Sequence, residues 1–319
     1  MIKKIFSAII IILIGQFALN AQEVNYPYKL NYFNIALEGQ NYKMAYMDVK
    51  PDLPQFKGTV ILFHGKNFNG YYWKNVIDFL IADGFRVIIP DQIGWGRSDK
   101  PDIHYSFHLL ARNSAMLLDS LGINKVNIIG HSMGGMLAVR FSLMYPEMVV
   151  KLILENPIGL EDYKTFVPYR TLEEIYNGEL NATYESYKKY QMTYYPEWKS
   201  EYEQYVQAQA ESLSQSDFRQ TALVNALTYL MIYEQPVCYE FKNLKIPVLL
   251  IIGQFDRTVV GKNLISDEEK NIRGQYPILG KLTKELIPGA ELSELNDIGH
   301  IPHIQDIGLF RKEVEQFLK

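Results

Sequence analysis

Apolar residues recur along this chain with two different spacings, one typical of strands and one typical of helices. Residues 30–37 and 42–49 alternate between apolar and polar positions, which predicts two antiparallel strands joined by a turn. From Thr59 onward, uninterrupted apolar runs alternate with amphipathic stretches of helical period. This alternation predicts an α/β fold with a mostly parallel central sheet flanked by helices. Strands are predicted at 59–63, 85–90, 126–129, 150–154, 247–252 and 291–295, and helices at 73–82, 107–121, after 132, near 279–286 and at 306–318.

The strand pattern disappears between residues 159 and 237. This segment is rich in Tyr, Glu, Lys and Gln, and its periodicity predicts helices such as 202–213 and 219–233. A segment of this length between two buried strands is too long for a loop. We therefore predict a helical cap at 159–237, inserted over the C-terminal edge of the sheet. The cap would divide the core into a first part, residues 22–158, and a second part, residues 238–319.

The first residues differ from the rest of the chain. Lys3 and Lys4 precede an almost wholly apolar stretch, and Ala21 offers a small residue at a cleavage point. This pattern predicts a signal peptide at residues 1–21, and hence an exported protein that is periplasmic or secreted. The alternative is an uncleaved N-terminal anchor; after cleavage no stable membrane anchor is expected. Because Cys238 is the only cysteine, no intramolecular disulfide is expected.

The net charge and the spacing of the histidines bear on whether the protein binds nucleic acid, a metal or a cofactor. The formal net charge is −4 and basic clusters are missing from the sequence, so nucleic-acid binding is not indicated. The six histidines show no metal-ligand spacing, so we expect neither a metal nor another cofactor. The sequence leaves the oligomeric state open.

The stretch around Ser132 carries the strongest chemical signal. An apolar run of strand length ends in Gly130-x-Ser132-x-Gly134, the nucleophile-elbow pattern. A serine on a sharp strand-to-helix turn crowds the residues two before and two after it, and glycine relieves that crowding. The turn would lift the Ser132 hydroxyl clear of the sheet and direct the N-terminus of the next helix at the bond that it attacks.

Two further residues complete a candidate catalytic set. Asp256 follows one predicted strand and His300 follows the last, and sites in open α/β sheets form beyond the carboxyl ends of strands. A serine hydroxyl is a weak nucleophile unless an imidazole takes its proton, and a carboxylate then fixes the imidazole tautomer. The sequence therefore predicts a triad of Ser132, His300 and Asp256. Glu155, which closes the strand before the cap, is an alternative acid.

Five short motifs follow one another along the chain: His64-Gly65, Asp91 to Ser98, Gly130 to Gly135, Gly253-x-x-Asp256, and Gly299 to Pro302. In this order they resemble the motifs of the α/β-hydrolase superfamily. The resemblance implies that family's fold, its chain order of nucleophile, acid and base, and a cap at the position predicted here. It also implies an oxyanion hole made of backbone N–H groups, one from Met133 and one from Lys66, with Asn67 as an alternative to Lys66.

The serine at the elbow restricts the reaction. Relatives on this fold that form alkyl-enzyme esters place a carboxylate there, so Ser132 indicates acyl transfer. We expect an exported serine hydrolase that cleaves a carboxylic ester or lactone of a small molecule through an acyl-enzyme. A serine-dependent hydrolase of a C–C bond in a dienoate ketone is the alternative. A non-catalytic binding module on this fold is a third possibility, although no catalytic member is missing.

Overall fold

The computed structural model describes residues 24–52 and 56–319, so the predicted signal peptide lies outside the described residues. Within the described residues, eight strands form a single sheet in the order β1-β2-β4-β3-β5-β6-β7-β8. β1 pairs with β2 and β2 pairs with β4 in antiparallel fashion, and every other pairing is parallel. The strands are β1 (Leu30–Leu37), β2 (Gln40–Val49), β3 (Gly58–Phe63), β4 (Phe85–Pro90), β5 (Val126–His131), β6 (Val149–Glu155), β7 (Val248–Gly253) and β8 (Glu291–Leu295).

Helices connect the strands and cover both faces of the sheet. Short 3-10 helices lie at Gly70–Trp73, Pro146–Met148, Tyr163–Thr165, Ser200–Tyr202, Glu211–Ser214, Cys238–Asn243 and Lys262–Leu264. The α-helices are α1 (Lys74–Ala82), α2 (Phe107–Ser120), α3 (Met133–Met144), α4 (Leu172–Leu180), α5 (Tyr184–Met192), α6 (Glu203–Ala210), α7 (Phe218–Glu234), α8 (Asp267–Ile272), α9 (Tyr276–Leu286), α10 (Pro302–Gln305) and α11 (Ile307–Leu318).

Both faces of the central strands are buried, as their uninterrupted apolar runs predict. In β3, Ile61 and Phe63 belong to a core that also holds side chains of α2 and α3. Val60 and Leu62 point to the opposite core, which holds side chains of α1 and α11. The predicted fold class, a mostly parallel sheet flanked by helices, is therefore confirmed.

The segment between β6 and β7 is helical and contains no strand among its described residues. It carries α4 to α7, with α4 packed on α7 and α5 packed on α6. The predicted helix at 202–213 is instead α6 with a 3-10 turn at each end. Tyr194, Tyr195 and Tyr202 from this segment join the core beneath the sheet edge, so their rings pack the segment against the rest of the protein. Among the described residues, no helix combines the length and apolar character needed to cross a membrane.

Candidate active site

Ser132 occupies a sharp turn between β5 and α3. Its backbone has φ 56° and ψ −121°, a left-handed conformation that a residue with a Cβ adopts only when its surroundings enforce it. A Cβ on Gly130 would lie 2.4 Å from the Gly134 carbonyl oxygen, and one on Gly134 would lie 2.0 Å from that of Phe63. The glycines on either side of the serine are thus needed because backbone passes where a side chain would stand.

The three residues predicted as a triad are hydrogen-bonded in series. The Ser132 hydroxyl lies 3.0 Å from His300 Nε2, and His300 Nδ1 lies 2.7 Å from Asp256 Oδ2. All three side chains are buried. Because His300 Nδ1–H donates a hydrogen bond to Asp256, the unprotonated Nε2 is left as the acceptor for the serine hydroxyl. This arrangement can activate Ser132 as a nucleophile.

Asp256 is held ionised by donors that sequence reasoning did not find. The Asn156 side-chain amide donates to Oδ2 at 2.7 Å, and the Thr258 N–H donates to Oδ1 at 2.8 Å. Burial opposes the ionisation of Asp256, but the interaction with His300 and the bonds from Thr258 and Asn156 outweigh it. The pKa of the Asp256 carboxyl therefore lies below its usual value. One signal for Asn156 was available, since it is a polar residue directly after the buried strand β6.

Glu155, the alternative acid, is directed at a different histidine. Its carboxylate lies 2.8 Å from His303 Nδ1 and also accepts the His303 backbone N–H at 2.8 Å. Burial raises the pKa of Glu155 to about 7. The structure thus brings Asp256, and not Glu155, into hydrogen bonding with His300. Glu155 instead attaches the segment that follows His300 to the end of β6.

The two residues predicted to supply the oxyanion N–H groups flank Ser132. Met133 is the first residue of α3, where a backbone N–H has no intrahelical acceptor. Within the described residues the Lys66 N–H makes no hydrogen bond, and the Lys66 carbonyl accepts the Trp95 indole N–H at 2.7 Å. The Asn67 N–H likewise makes no hydrogen bond within the described residues, while its side-chain amide donates to the Tyr194 hydroxyl at 2.8 Å. Lys66 as the second donor stays a prediction.

A buried chain of hydrogen bonds links the oxyanion loop, the elbow and the base loop. The Gly65 N–H donates to the Tyr72 hydroxyl at 2.9 Å, and that hydroxyl lies 3.0 Å from His131 Nδ1. His131 Nε2 lies 2.9 Å from the His300 carbonyl oxygen. Because a carbonyl can only accept, Nε2 carries the proton and Nδ1 accepts from Tyr72. Burial lowers the pKa of His131 well below its usual value, which keeps this tautomer neutral.

The helical segment also touches the base directly. The His300 N–H donates to the Tyr194 carbonyl at 2.7 Å, and the Tyr194 ring stacks on the imidazole with centroids 4.8 Å apart. No sequence motif marks Tyr194, and all the predicted catalytic residues lie outside residues 159–237. Its role was therefore missed.

Ser132 opens into a cavity of about 350 Å³. The helical segment supplies most of the lining, including Tyr187, Tyr190 and Tyr229, and the loop at Lys66 supplies one wall. A cavity of this size suits a small organic molecule. Within the described residues, no group of three or more His, Cys, Asp or Glu side chains could hold a metal ion.

Comparison with known proteins identifies the family. The family defined by the alpha/beta hydrolase fold matches residues 58–306. The chain belongs to the α/β-hydrolase family. A solved structure of a probable hydrolytic enzyme from Pseudomonas aeruginosa PAO1 is 41% identical, with a TM-score of 0.90 over 93% of this chain and 96% of that one.

Two curated relatives carry the same name. A 2-hydroxy-6-oxononadienedioate/2-hydroxy-6-oxononatrienedioate hydrolase of Burkholderia vietnamiensis is 28% identical over 90% of this chain and 95% of its own. Its namesake from Paraburkholderia phymatum is 30% identical over 73% and 83%. The predicted family, the predicted fold and the expectation that this α/β-hydrolase is an enzyme are thereby confirmed.

Proposed function

We propose that the protein is an exported serine hydrolase that cleaves a carboxylic ester or lactone of a small molecule. The observation that carries the proposal is the hydrogen-bonded series Ser132–His300–Asp256 at the floor of a cavity. In this series an imidazole and an ionised carboxylate are arranged to activate a serine, which is the requirement for acyl transfer.

The reaction follows from the positions of these groups. Ser132 Oγ attacks the carbonyl carbon while His300 Nε2 takes the hydroxyl proton, and Asp256 stabilises the imidazolium through Nδ1. The oxygen that becomes negative is placed at the N–H groups of Met133 and Lys66. His300 then gives the proton to the departing alcohol oxygen, which leaves an acyl group on Ser132. In the second half of the cycle His300 takes a proton from a water molecule that attacks the acyl carbon. It returns that proton to Ser132 Oγ as the bond between Oγ and the acyl group breaks, which releases the acid.

The test is a hydrolysis screen on the protein lacking residues 1–21. Chromogenic esters of graded acyl length, lactones of several ring sizes and a dienoate ketone are compared at equal concentration. We expect turnover of at least one ester or lactone, and an acyl adduct on Ser132 detectable by mass spectrometry after rapid acid quenching. Ser132→Ala is the control for the adduct. No ester or lactone turnover in a correctly folded protein would contradict the proposal.

Hydrolysis of a C–C bond is the second candidate, and the names of the two curated relatives favour it. Both names describe a hydrolase of a dienedioate with a keto group at carbon 6. The dienoate ketone in the screen separates the candidates. A kcat/KM for this ketone above that of every ester and lactone would favour the second candidate.

Export is proposed from the N-terminal sequence, in which a basic start precedes an apolar stretch and Ala21. Protein recovered from the native compartment should begin at Gln22. Its intact mass decides this, because retention of residues 1–21 would indicate an anchor instead.

The helical segment at 159–237 is proposed as a cap that selects the substrate. It supplies most of the lining of the cavity that contains Ser132. Excluding water from a site strengthens the electrostatic interactions inside it.

A further inference from the structure

The Lys66 side chain lies at the boundary between two cavities. One is the cavity of about 350 Å³ that contains Ser132. The other, of about 90 Å³, extends beside it toward Arg97 and Lys100. Lys66, Asn67 and Gln209 line both, so the small cavity is a side chamber of the large one.

The Lys66 ammonium has no hydrogen-bond or ion-pair partner within the described part of the chain. The other two cations of the side chamber are engaged: Arg97 binds Glu211 at 2.9 Å, and the Lys100 ammonium donates to the Gly96 carbonyl at 3.1 Å. Burial lowers the pKa of Lys66 from its usual value, although Glu179 acts in the opposite direction. The Lys66 side chain is half-buried, so its ammonium is only partly solvated, and an anion placed beside it offsets that loss of solvation.

The two cavities differ in the charges of the residues that line them. Three cations face the side chamber against one carboxylate, Glu211, which Arg97 already binds. Arg170 and Glu179 line the Ser132 cavity but not the side chamber, so their opposite charges balance there. The side chamber keeps an excess of positive charge, and an anionic group is therefore favoured in it.

The geometry points to a substrate that carries a carboxylate, bound by the Lys66 ammonium in the side chamber while its scissile carbonyl reaches Ser132. A volume of about 90 Å³ equals roughly three water molecules, which accommodates a carboxylate and the carbon next to it. The tether to the carbonyl is short, since the backbone N–H of Lys66 is the predicted oxyanion donor. The inference rests on the proposed function only in taking Ser132 as the site of bond cleavage.

Binding to Ser132→Ala tests the carboxylate site without turnover. Monomethyl adipate and dimethyl adipate have the same chain length and differ in one negative charge. Calorimetry should give at least tenfold tighter binding of the anionic ester, the range expected for a charge-assisted hydrogen bond. Adding Lys66→Met should remove most of that preference, and Lys66→Gln provides a second variant if the first does not fold. Equal or weaker binding of the anionic ester to Ser132→Ala would overturn the inference.

The control for the change in charge is Lys189→Met. Lys189 is exposed on α5, next to Tyr190, and does not line either cavity. The preference for the anionic ester should persist in this variant. Loss of the preference in both lysine variants would mean that overall charge, not the side chamber, is responsible, and would contradict the inference.

Turnover by the wild-type protein separates this inference from the proposed function. The 4-nitrophenyl ester of adipic acid, with its other carboxyl free, is compared with the same ester methylated at that carboxyl. We expect kcat/KM to be at least tenfold higher for the free acid. If the anionic ester binds tightly to Ser132→Ala but the wild type hydrolyses neither nitrophenyl ester, ester hydrolysis fails and the carboxylate site stands.

Discussion

At the scale of single residues, the triad depends on the strained backbone of Ser132 and on the hydrogen bonds that His300 makes to Ser132 and Asp256. The serine conformation is over-determined, because its N–H donates to the Glu155 carbonyl while its own carbonyl accepts from Gly135 and Ile158. Backbone bonds of this kind fix the hydroxyl before a substrate arrives. The Ser132 side chain can therefore change with little effect on the turn.

The first prediction concerns these three side chains. Because they act as a unit, Ser132→Ala and His300→Ala should each lower kcat by about 10⁴ or more. Asp256→Asn should cost somewhat less, since an amide oxygen facing His300 Nδ1 can still accept its hydrogen bond and partly preserve the orientation of the imidazole. The measurement is steady-state kinetics on the best substrate of the screen. More than a few per cent of residual activity in Ser132→Ala would exclude the mechanism.

Tyr72 is a positioning residue by its contacts, and it gives the second prediction. Tyr72→Phe leaves the Gly65 N–H and His131 Nδ1 buried without partners, which should destabilise the protein by about 1–3 kcal/mol. Because these groups adjoin Lys66 and Ser132, kcat should fall by about tenfold or more while KM changes little.

A separate measurement distinguishes a positioning role of Tyr72 from a purely structural one. Affinity for a trifluoromethyl ketone, which forms an oxyanion on Ser132, should fall in parallel with kcat/KM. Tyr233→Phe is the matched control, because it also removes one buried hydroxyl contact, to the Val167 carbonyl, and Tyr233 does not line the Ser132 cavity. Equal kinetic effects of the two variants would remove Tyr72 from the positioning network.

At the scale of elements, the helical segment both lines the cavity and holds the base loop. The Tyr194 carbonyl binds the His300 N–H, its ring covers the imidazole, and its hydroxyl accepts from Asn67. Tyr194, two residues beyond the end of α5, thus contacts both the base loop and the loop predicted to bind the oxyanion.

The third prediction separates these contacts of Tyr194. Tyr194→Phe keeps the ring and loses only the hydrogen bonds of the hydroxyl, to Asn67 and Tyr190, so kcat/KM should fall by less than about tenfold. Tyr194→Ala also uncovers His300, and it should lower kcat further and destabilise the protein by at least about 2 kcal/mol. Kinetics and urea unfolding of both variants give the comparison. Identical kinetics for Phe and Ala would show that the ring has no influence on the base.

At the scale of the whole molecule, the sequence predicted the elements and the residues that short motifs mark, and it missed distant contacts that no motif marks. The strands, the elbow glycines and the residues after each strand follow from periodicity and short motifs. Asn156, Tyr72 and Tyr194 act through contacts with residues 100, 59 and more than 100 positions away. No local pattern encodes such contacts, because they depend on how the loops at the sheet edge meet. The division of the predicted helix at 202–213 is similarly set by packing.

The buried pair of Glu155 and His303 affects the stability of the entire fold. Burial raises the pKa of Glu155 to about 7 and lowers that of His303 well below its usual value. In the unfolded chain these groups titrate near about 4.3 and 6.5. Between about pH 4.5 and 6.5, the folded pair therefore holds one proton on Glu155, and the unfolded pair holds one on His303. Equal proton numbers mean that the pair adds no pH dependence to the free energy of unfolding in this range.

The fourth prediction follows from breaking that balance. In the folded Glu155→Gln variant, neither the glutamine nor the neutral His303 binds a proton between about pH 4.5 and 6.5. In the unfolded variant, His303 still binds one proton below about pH 6.5. Relative to the wild type, the variant should therefore lose stability as pH falls from about 6.5 to 4.5, by about 1 kcal/mol per pH unit. Urea unfolding across this range measures the difference, with the exposed Glu291→Gln as control. A difference that does not vary with pH would contradict the assigned protonation.

The bond between the His300 N–H and the Tyr194 carbonyl has a pharmacological consequence. A hydrogen bond of 2.7 Å is lost once its atoms separate by more than about an ångström. A compound that wedges beneath residue 194 and displaces it would therefore inhibit without touching Ser132, His300 or Asp256. Such a wedge would slow the labelling of Ser132 by a fluorophosphonate, because that reaction needs the base in place. Inhibitors of this kind would be selected against the helical segment and not against the triad.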